Sequence, residues 1–194
     1  MEGRVDRRVR RTQERLKQAM TQLLQEKPAR EITVRELTER ADVNRGTFYA
    51  HYTDLNDMLE QMENEVLAEF EKLLDRHAPD DLARDLTPLL AEVFAFVERH
   101  RGLIPTFLRQ QTADRFLQRF SQVIYDKCLR EWAGLYPLGD VSGPNYYLEF
   151  VVAGTVNLVR TWARRGFREA PEEMARLTGR LILRGFGSLG GGKY

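Results

Sequence analysis

The stretch EITVRELTERADVNRGTFYAHYTDLNDML, residues 31–59, predicts two short helices joined by a tight turn and followed at once by a third helix. Thr33 and Glu36 have the spacing of a capping box, in which the threonine oxygen accepts an unpaired amide and the glutamate reaches back to another. Asn44 is a good N-cap for the second helix. Apolar residues recur at the spacing of one helix face: Val34, Leu37 and Ala41, then Phe48 and Tyr52. This is the spacing of a helix-turn-helix motif, whose second helix enters the DNA major groove.

The same stretch resembles the DNA-binding domain of the TetR family of bacterial transcription regulators. The family pattern is a hydrophobic residue and Thr, a short helix, Ala-x-Val, and then Gly-Thr-aromatic-Tyr-x-His-aromatic. This chain carries the pattern as Ile32-Thr33, Ala41-Asp42-Val43 and Gly46-Thr47-Phe48-Tyr49-Ala50-His51-Tyr52, and the match covers about residues 8–60. The family usually has Lys where this chain has Leu55, so we expect Thr53 to replace part of that phosphate contact.

The resemblance implies that the second helix and its flanks bind DNA. An arginine such as Arg45 can form two hydrogen bonds with guanine, and a threonine can contact a thymine methyl group. Tyrosine hydroxyls and histidines mostly reach phosphate oxygens. Arg35 is a further candidate, with a pair to Glu39 one turn later as the alternative. The predicted DNA-binding residues are Thr33, Arg35, Arg45, Gly46, Thr47, Tyr49, His51, Tyr52 and Thr53.

Positive charge is concentrated in the same part of the chain. Residues 1–52 hold 12 Lys/Arg and 8 Asp/Glu, a net charge of +4, although the 194-residue chain carries only +1. DNA affinity requires such a distribution. Five arginines at the start either follow phosphates or a minor groove, or form a solvated arm: Arg4, Arg7, Arg8, Arg10 and Arg11.

The composition also indicates the cellular compartment of the protein. Cys128 is the only cysteine, so an intrachain disulfide is excluded, which fits a reducing cytosol. No apolar run approaches the roughly 18 residues of a membrane span. The first eleven residues, MEGRVDRRVRR, have no apolar region of the kind found in signal peptides. We therefore expect a cytoplasmic protein that does not bind a membrane.

Helical periodicity over almost the whole chain predicts an all-α fold. A first helix from about Asp6 to Gln25 completes a three-helix, helix-turn-helix DNA-binding domain of residues 1–54. A helical ligand-binding and dimerisation domain follows in residues 55–190. Its eighth helix is expected over Asn145 to Arg165 with Gly166 as the C-cap, and its ninth opens at Pro171. About nine helices in this order are what the resemblance implies.

Two groups of residues in the second domain are candidates for regulation. Helix eight is apolar on more than one side, and Gly154 permits a close crossing, so helices eight and nine are expected to form the interface of a homodimer. Its predicted residues are Phe150, Gly154, Leu158, Trp162, Leu177 and Leu181. Aromatic residues could line a pocket for a small-molecule effector, although at helical spacing they are also typical of plain core: Phe94, Phe107, Phe120, Trp132 and Tyr147.

Nothing in the sequence predicts catalysis, a metal or a cofactor. The three histidines show no ligand spacing, and no nucleophile motif stands out. The leading hypothesis is a dimeric repressor that leaves a pseudo-palindromic double-stranded operator when an effector binds. A transcriptional activator that responds to a protein partner is the second hypothesis. A ligand carrier or enzyme with a vestigial DNA-binding end is the third, and the intact TFYAHY stretch argues against it.

Overall fold

The structure is a computed structural model that describes residues 2–78, 85–107, 113–127 and 146–184. These residues form nine α-helices, one 3-10 turn and no strand, which confirms the all-α prediction. The chain divides into two compact units, Met1–Val66 and Leu67–Tyr194, and the division falls inside the fourth helix. The helices are α1 (Glu2–Glu26), α2 (Val34–Ala41), α3 (Arg45–Tyr49), α4 (Leu55–Leu74), α5 (Thr87–Arg99), α6 (Ile104–Phe107), α7 (Ala113–Lys127), α8 (Tyr146–Arg164) and α9 (Pro171–Arg184); the 3-10 turn is Ala29–Glu31.

The core of the first unit forms where the apolar face of α1 packs against α2, and α2 packs against α3. Phe48 and Leu37 are fully buried, as their helical spacing predicts. The rings of Phe48 and Tyr52 lie 5.5 Å apart between their centroids. The buried residues of α1 recur at three- and four-residue spacing: Leu16, Ala19, Met20, Leu23 and Leu24.

Side-chain caps set the two helices of the helix-turn-helix. Asn44 Oδ1 accepts from the backbone amide of Thr47 at 2.8 Å and so caps α3, as predicted. At the start of α2, Thr33 Oγ1 accepts from the amide of Glu36 at 3.2 Å. The reciprocal half of the predicted capping box does not form, because the Glu36 carboxylate accepts from Lys27 Nζ at 2.6 Å instead. Lys27 lies nine residues before Glu36, directly after the last residue of α1.

The beginning of α1 differs from the sequence prediction. The helix starts at Glu2 rather than near Asp6, so it is about one turn longer than expected. Val9, which has the spacing of the buried face seven residues before Leu16, is 36% exposed. All residues from 7 to 11 are exposed, so this end of α1 extends beyond the packed core.

The second unit packs α5 against α9. Phe94 is fully buried on α5, and Met174, Ala175 and Thr178 are buried on α9. A Cβ added to Gly179 would lie 3.5 Å from Leu90 Cδ1, which shows how closely the two helices approach. Elsewhere in this unit Phe70 of α4 stacks on Phe120 of α7, with ring centroids 4.2 Å apart.

The end of α8 is a Schellman motif built around one tryptophan. Gly166 has a φ of +76°, and its amide donates to the carbonyl of Ala163 at 3.0 Å, which confirms the predicted C-cap. The amide of Phe167 donates to the carbonyl of Trp162 at 3.1 Å, and the two rings lie 4.8 Å apart. The indole nitrogen of Trp162 donates to the carbonyl of Glu169 at 2.9 Å. Trp162 therefore joins α8 to the loop that leads to α9.

Candidate nucleic-acid interface

The outer face of α3 presents two exposed side chains, Arg45 and Tyr49, and the ring of Tyr49 lies edge-to-face on that of Phe48 with centroids 5.3 Å apart. Tyr49 is 58% exposed although its neighbour Phe48 is fully buried. Arg45 is exposed at the first position of the helix and forms no ion pair among the residues that the structure describes. A Cβ at Gly46 would meet only Asn44 Oδ1, at 3.4 Å, so packing within the unit does not require glycine there. The first turn of α3 is thus open to close approach by another molecule.

Two threonines beside α3 already use their hydroxyl protons. Thr47 Oγ1 donates to Asn44 Oδ1 at 2.8 Å. The amide and hydroxyl of Thr53 donate to Asp57 Oδ2 at 2.8 and 3.2 Å. The bond from the Thr53 amide, followed by one from the Gln61 side chain and by that from the Thr53 hydroxyl, holds the pKa of the Asp57 carboxyl below its usual value. Because phosphate oxygens only accept, Thr53 would have to leave a carboxylate before it could donate to DNA.

The other predicted contacts are mostly accessible. Arg35 is exposed at the start of α2, and its Nε donates to Glu39 Oε1 at 2.8 Å, the i,i+4 pair that was the alternative to a DNA contact. Thr33 is exposed, and its oxygen caps α2. His51 is half-buried after α3, with its ring 6.3 Å from that of Tyr52.

Tyr52 is the predicted DNA-binding residue that the structure places in the core. Only 2% of it is exposed, and its hydroxyl is buried with no hydrogen-bond partner among the described residues. Burial raises the pKa of Tyr52 to about 12, and the nearby carboxylates of Glu65 and Asp57 add to the shift. The side chain is buried away from the face that presents Tyr49, so the prediction that Tyr52 contacts DNA is wrong for this structure.

We expect Tyr52→Phe to raise the free energy of unfolding by about 1 kcal/mol, because it removes a buried hydroxyl that has lost its water without gaining a partner. DNA affinity should not change. Urea unfolding and duplex titration measure the two effects. Tyr49→Phe is the matched variant: it removes an exposed hydroxyl, so stability should hold while DNA affinity falls. Weaker DNA binding by Tyr52→Phe would return Tyr52 to the interface.

One contact of this site has no local signal in the sequence. Arg15 Nη2 donates to the carbonyl oxygen and to Oδ2 of Asp42, at 2.9 and 2.7 Å, across 27 residues of chain. Asp42 ends α2 in the left-handed region, with a φ of 49°, which is uncommon for a residue with a side chain. Arg15 thus fastens α1 to the turn that sets the direction of α3.

The structure describes three of the five residues predicted to line an effector pocket. Phe94 is buried in an edge-to-face contact with Trp162, at 5.5 Å between centroids, and Phe107 is buried as well. Phe120 is half-buried against Phe70. Trp132 lies outside the described residues, as does the side chain of Tyr147. The contacts of Phe94 and Phe120 fit the core alternative that the helical spacing left open.

One face of α8 is apolar and exposed. Tyr146 is 79% and Phe150 is 67% exposed, although both are large. Gly154 lies one turn further on the same face, and an added Cβ there would meet nothing within 4 Å. Leu158 on α8, and Leu177 and Leu181 on α9, are half-buried. Trp162 is 1% exposed and packs within its own unit, so it does not contribute to this face.

The described residues hold no group of three metal-ligating side chains. None of the described helices has the length and apolarity that crossing a bilayer requires.

Two family models match the chain and together cover most of it. Residues 17–62 match the model for bacterial regulatory proteins of the tetR family, and residues 84–184 match the model for a transcriptional regulator C-terminal region. The first match contains the whole helix-turn-helix, and the second spans more than half of the chain. No curated protein sequence matches the chain.

Solved structures share the fold at low sequence identity. NalD from Pseudomonas aeruginosa, the secondary repressor of the MexAB-OprM efflux pump, superposes with a TM-score of 0.69 at 19% identity, over 91% of this chain and 97% of that one. FadR from Bacillus subtilis, solved with stearoyl-CoA, gives 0.66 at 16% identity, over 89% and 98%. The dihydroxyacetone kinase operon activator DhaS gives 0.63 at 16% identity, over 89% and 94%.

Proposed function

Because this chain belongs to the TetR family of bacterial transcription regulators, we propose that it is a dimeric repressor that binds a pseudo-palindromic operator and is released by an effector. The observation that carries the proposal is that α3 has one buried side and one exposed side. Phe48 packs the helix on the core, while the side chains of Arg45 and Tyr49 are exposed to solvent. That arrangement suits a helix lying in a major groove.

We assign different tasks to the residues on this surface. Arg45 is the base-reading candidate, because a guanidinium without an ion partner can form its two hydrogen bonds to guanine at no cost in lost pairs. Tyr49 and His51 contact phosphates. Arg35 also contacts phosphate, and it gives up its bond to Glu39 when it does so. Thr33, Gly46 and Thr47 lie where the DNA backbone would approach the protein. Thr53 is the least suited of these residues to donate a hydrogen bond to DNA.

The dimer is proposed to form through the exposed face of α8 with α9. A single recognition helix reads few bases, and two half-sites must lie about one DNA turn, roughly 34 Å, apart. The exposed face of Tyr146, Phe150 and Gly154 supplies an apolar, self-complementary surface for a twofold axis. Leu158, Leu177 and Leu181 flank it. In this assignment the second face of α8, with Val152, Val159 and Trp162, belongs to the core of its own protomer.

The effector is proposed to act by favouring one spacing of the two helix-turn-helix motifs over another, since a ligand with equal affinity for both would change nothing. A bound acyl-CoA is described for FadR from Bacillus subtilis and supports a small molecule as the type of effector. We place the protein in the cytoplasm with its DNA, and assign it no catalytic activity, metal or cofactor.

Selection from random duplexes tests the proposal directly. We expect an enriched site with two inverted half-sites, bound by two protomers, and an affinity that falls steeply as salt rises because phosphate contacts release counterions. A scrambled duplex of the same length and composition is the control. Failure to enrich any site, or equal affinity for the scrambled duplex, would show that the chain is not a sequence-specific regulator.

The sign of regulation needs a separate measurement. The activator DhaS has the same fold, so an activating role for this chain is the second candidate. A reporter gene placed behind the selected site distinguishes the two. Lower expression with the protein present supports the repressor, and higher expression supports the activator.

A further inference from the structure

One arginine of α1 bonds directly to the turn of the helix-turn-helix. Arg15 Nη2 carries two protons and donates to the carbonyl oxygen of Asp42 at 2.9 Å and to its Oδ2 at 2.7 Å. Within the unit, α1 packs against α2, and α2 packs against α3. Asp42 stands two residues before Asn44, the cap of α3. The bonds of Arg15 therefore tie α1 to the residue from which the chain turns towards α3.

The backbone of Asp42 has a conformation that needs support. Its φ of 49° lies in the left-handed region, which few residues with a side chain adopt. The amides of the turn are held by α2, because those of Asp42 and Val43 donate to the carbonyls of Glu39 and Thr38 at 3.2 and 3.0 Å. Arg15 binds the other side of the turn, through the carbonyl and the carboxylate of Asp42.

The helix that follows this turn is too short to fix its own direction firmly. It has five residues, and Phe48 is its one buried residue. A small rotation of α3 about Phe48 would displace the exposed side chains of Arg45 and Tyr49. Hydrogen bonds to base edges weaken steeply when their angles change, so operator recognition depends on the direction of α3.

We propose that Arg15 is a positioning residue for operator recognition, which acts through Asp42 on the direction of α3 and does not itself contact DNA. A guanidinium and a carboxylate form one of the stronger kinds of hydrogen bond, and this one is in place before DNA arrives. The inference rests on the proposed operator binding. It adds to that function a residue on α1 that is not part of the predicted DNA-binding surface.

Asp42→Asn separates positioning from charge, because the two effects have opposite signs. Asparagine tolerates the left-handed conformation and keeps the backbone carbonyl, but it loses the charge that Arg15 binds. Loss of a negative charge from a DNA-binding unit by itself strengthens binding. Loss of positioning weakens it, and we expect the affinity for the selected site to fall about fivefold or more, since each of the two protomers loses an ion pair. Affinity for the scrambled duplex should not fall.

Two further variants complete the experiment. Glu31→Gln removes the same charge from an exposed position of the same unit, where the carboxylate lies only loosely against Arg30, at 3.9 Å. It should bind the selected site at least as tightly as the wild type. Arg15→Lys keeps the positive charge but not the guanidinium, so it should weaken specific binding as Asp42→Asn does. The double variant should be no weaker than the weaker single variant, because both changes break one pair.

The outcomes distinguish this inference from the proposed function. Wild-type affinity or tighter binding by Asp42→Asn overturns the inference, and so do additive effects of Arg15→Lys and Asp42→Asn, which would indicate that Arg15 binds phosphate on its own. In either case the selected site still binds the wild type, so the proposed function stands. Failure of the wild type to enrich any site removes both. Circular dichroism should show all variants folded, because an exposed ion pair contributes little to stability.

Discussion

Gly154→Glu should give a folded monomer that binds the operator at least about 100-fold more weakly than the wild-type dimer. The monomer tolerates the change, because Gly154 is exposed and a Cβ there meets nothing within 4 Å. The dimer should not, since two carboxylates would face each other across the twofold axis without partners. Loss of the second helix-turn-helix then removes an avidity gain that is typically 100-fold or more. Sedimentation velocity and duplex titration measure the two effects.

Two variants separate charge from position in this experiment. Gly154→Ala keeps the surface apolar and small, so it should remain dimeric. Ala68→Glu adds the same charge at an exposed position of α4 and should leave both the dimer and its affinity for DNA unchanged. Sedimentation of the wild type as a monomer at micromolar concentration would place the dimer contact elsewhere or exclude it, and so would an intact dimer of Gly154→Glu.

The helix-turn-helix was readable in advance because the signals that define it are local. The cap at Asn44 and the burial of Phe48 and Tyr52 depend on residues three or four positions apart, and all three were predicted. The bond from Arg15 to Asp42 and the pairing of Glu36 with Lys27 were missed. Both join separate helices, so they depend on packing that no short sequence window contains. Tyr52 was also predicted to contact DNA from the family pattern, although its spacing from Phe48 already placed it on the buried face, and there the spacing was right.

In the second unit, the helical periodicity predicted the helices, but it did not distinguish apolar surface that is buried in the core from apolar surface that is exposed. Trp162 and Phe150 are both large and aromatic on α8, and both were predicted for the interface. Trp162 is buried by the Schellman turn, by Phe94 and by the bond to the carbonyl of Glu169, while Phe150 remains 67% exposed. They differ by twelve residues, or about 120° around a helix. The angle shows that the two residues lie on different faces of α8. It does not show which of the two faces is buried until the position of the core is known.

Arg45→Ala and Tyr49→Ala should each weaken operator binding by about 1 to 3 kcal/mol, with different signatures. Arg45→Ala removes a base contact, so it should relax the preference at one position of each half-site. Tyr49→Ala should weaken all sites alike and leave the salt slope unchanged, because an uncharged side chain releases no counterions. Arg35→Ala should cost less than Arg45→Ala, since Arg35 must first give up its bond to Glu39. Titrations of single-base variants of the selected site, at three salt concentrations, measure these differences.

Arg168→Ala, which removes an exposed charge from the second unit, is the control and should bind as the wild type does. Wild-type affinity in both Arg45→Ala and Tyr49→Ala would mean that α3 does not lie in the groove, whatever the family pattern implies.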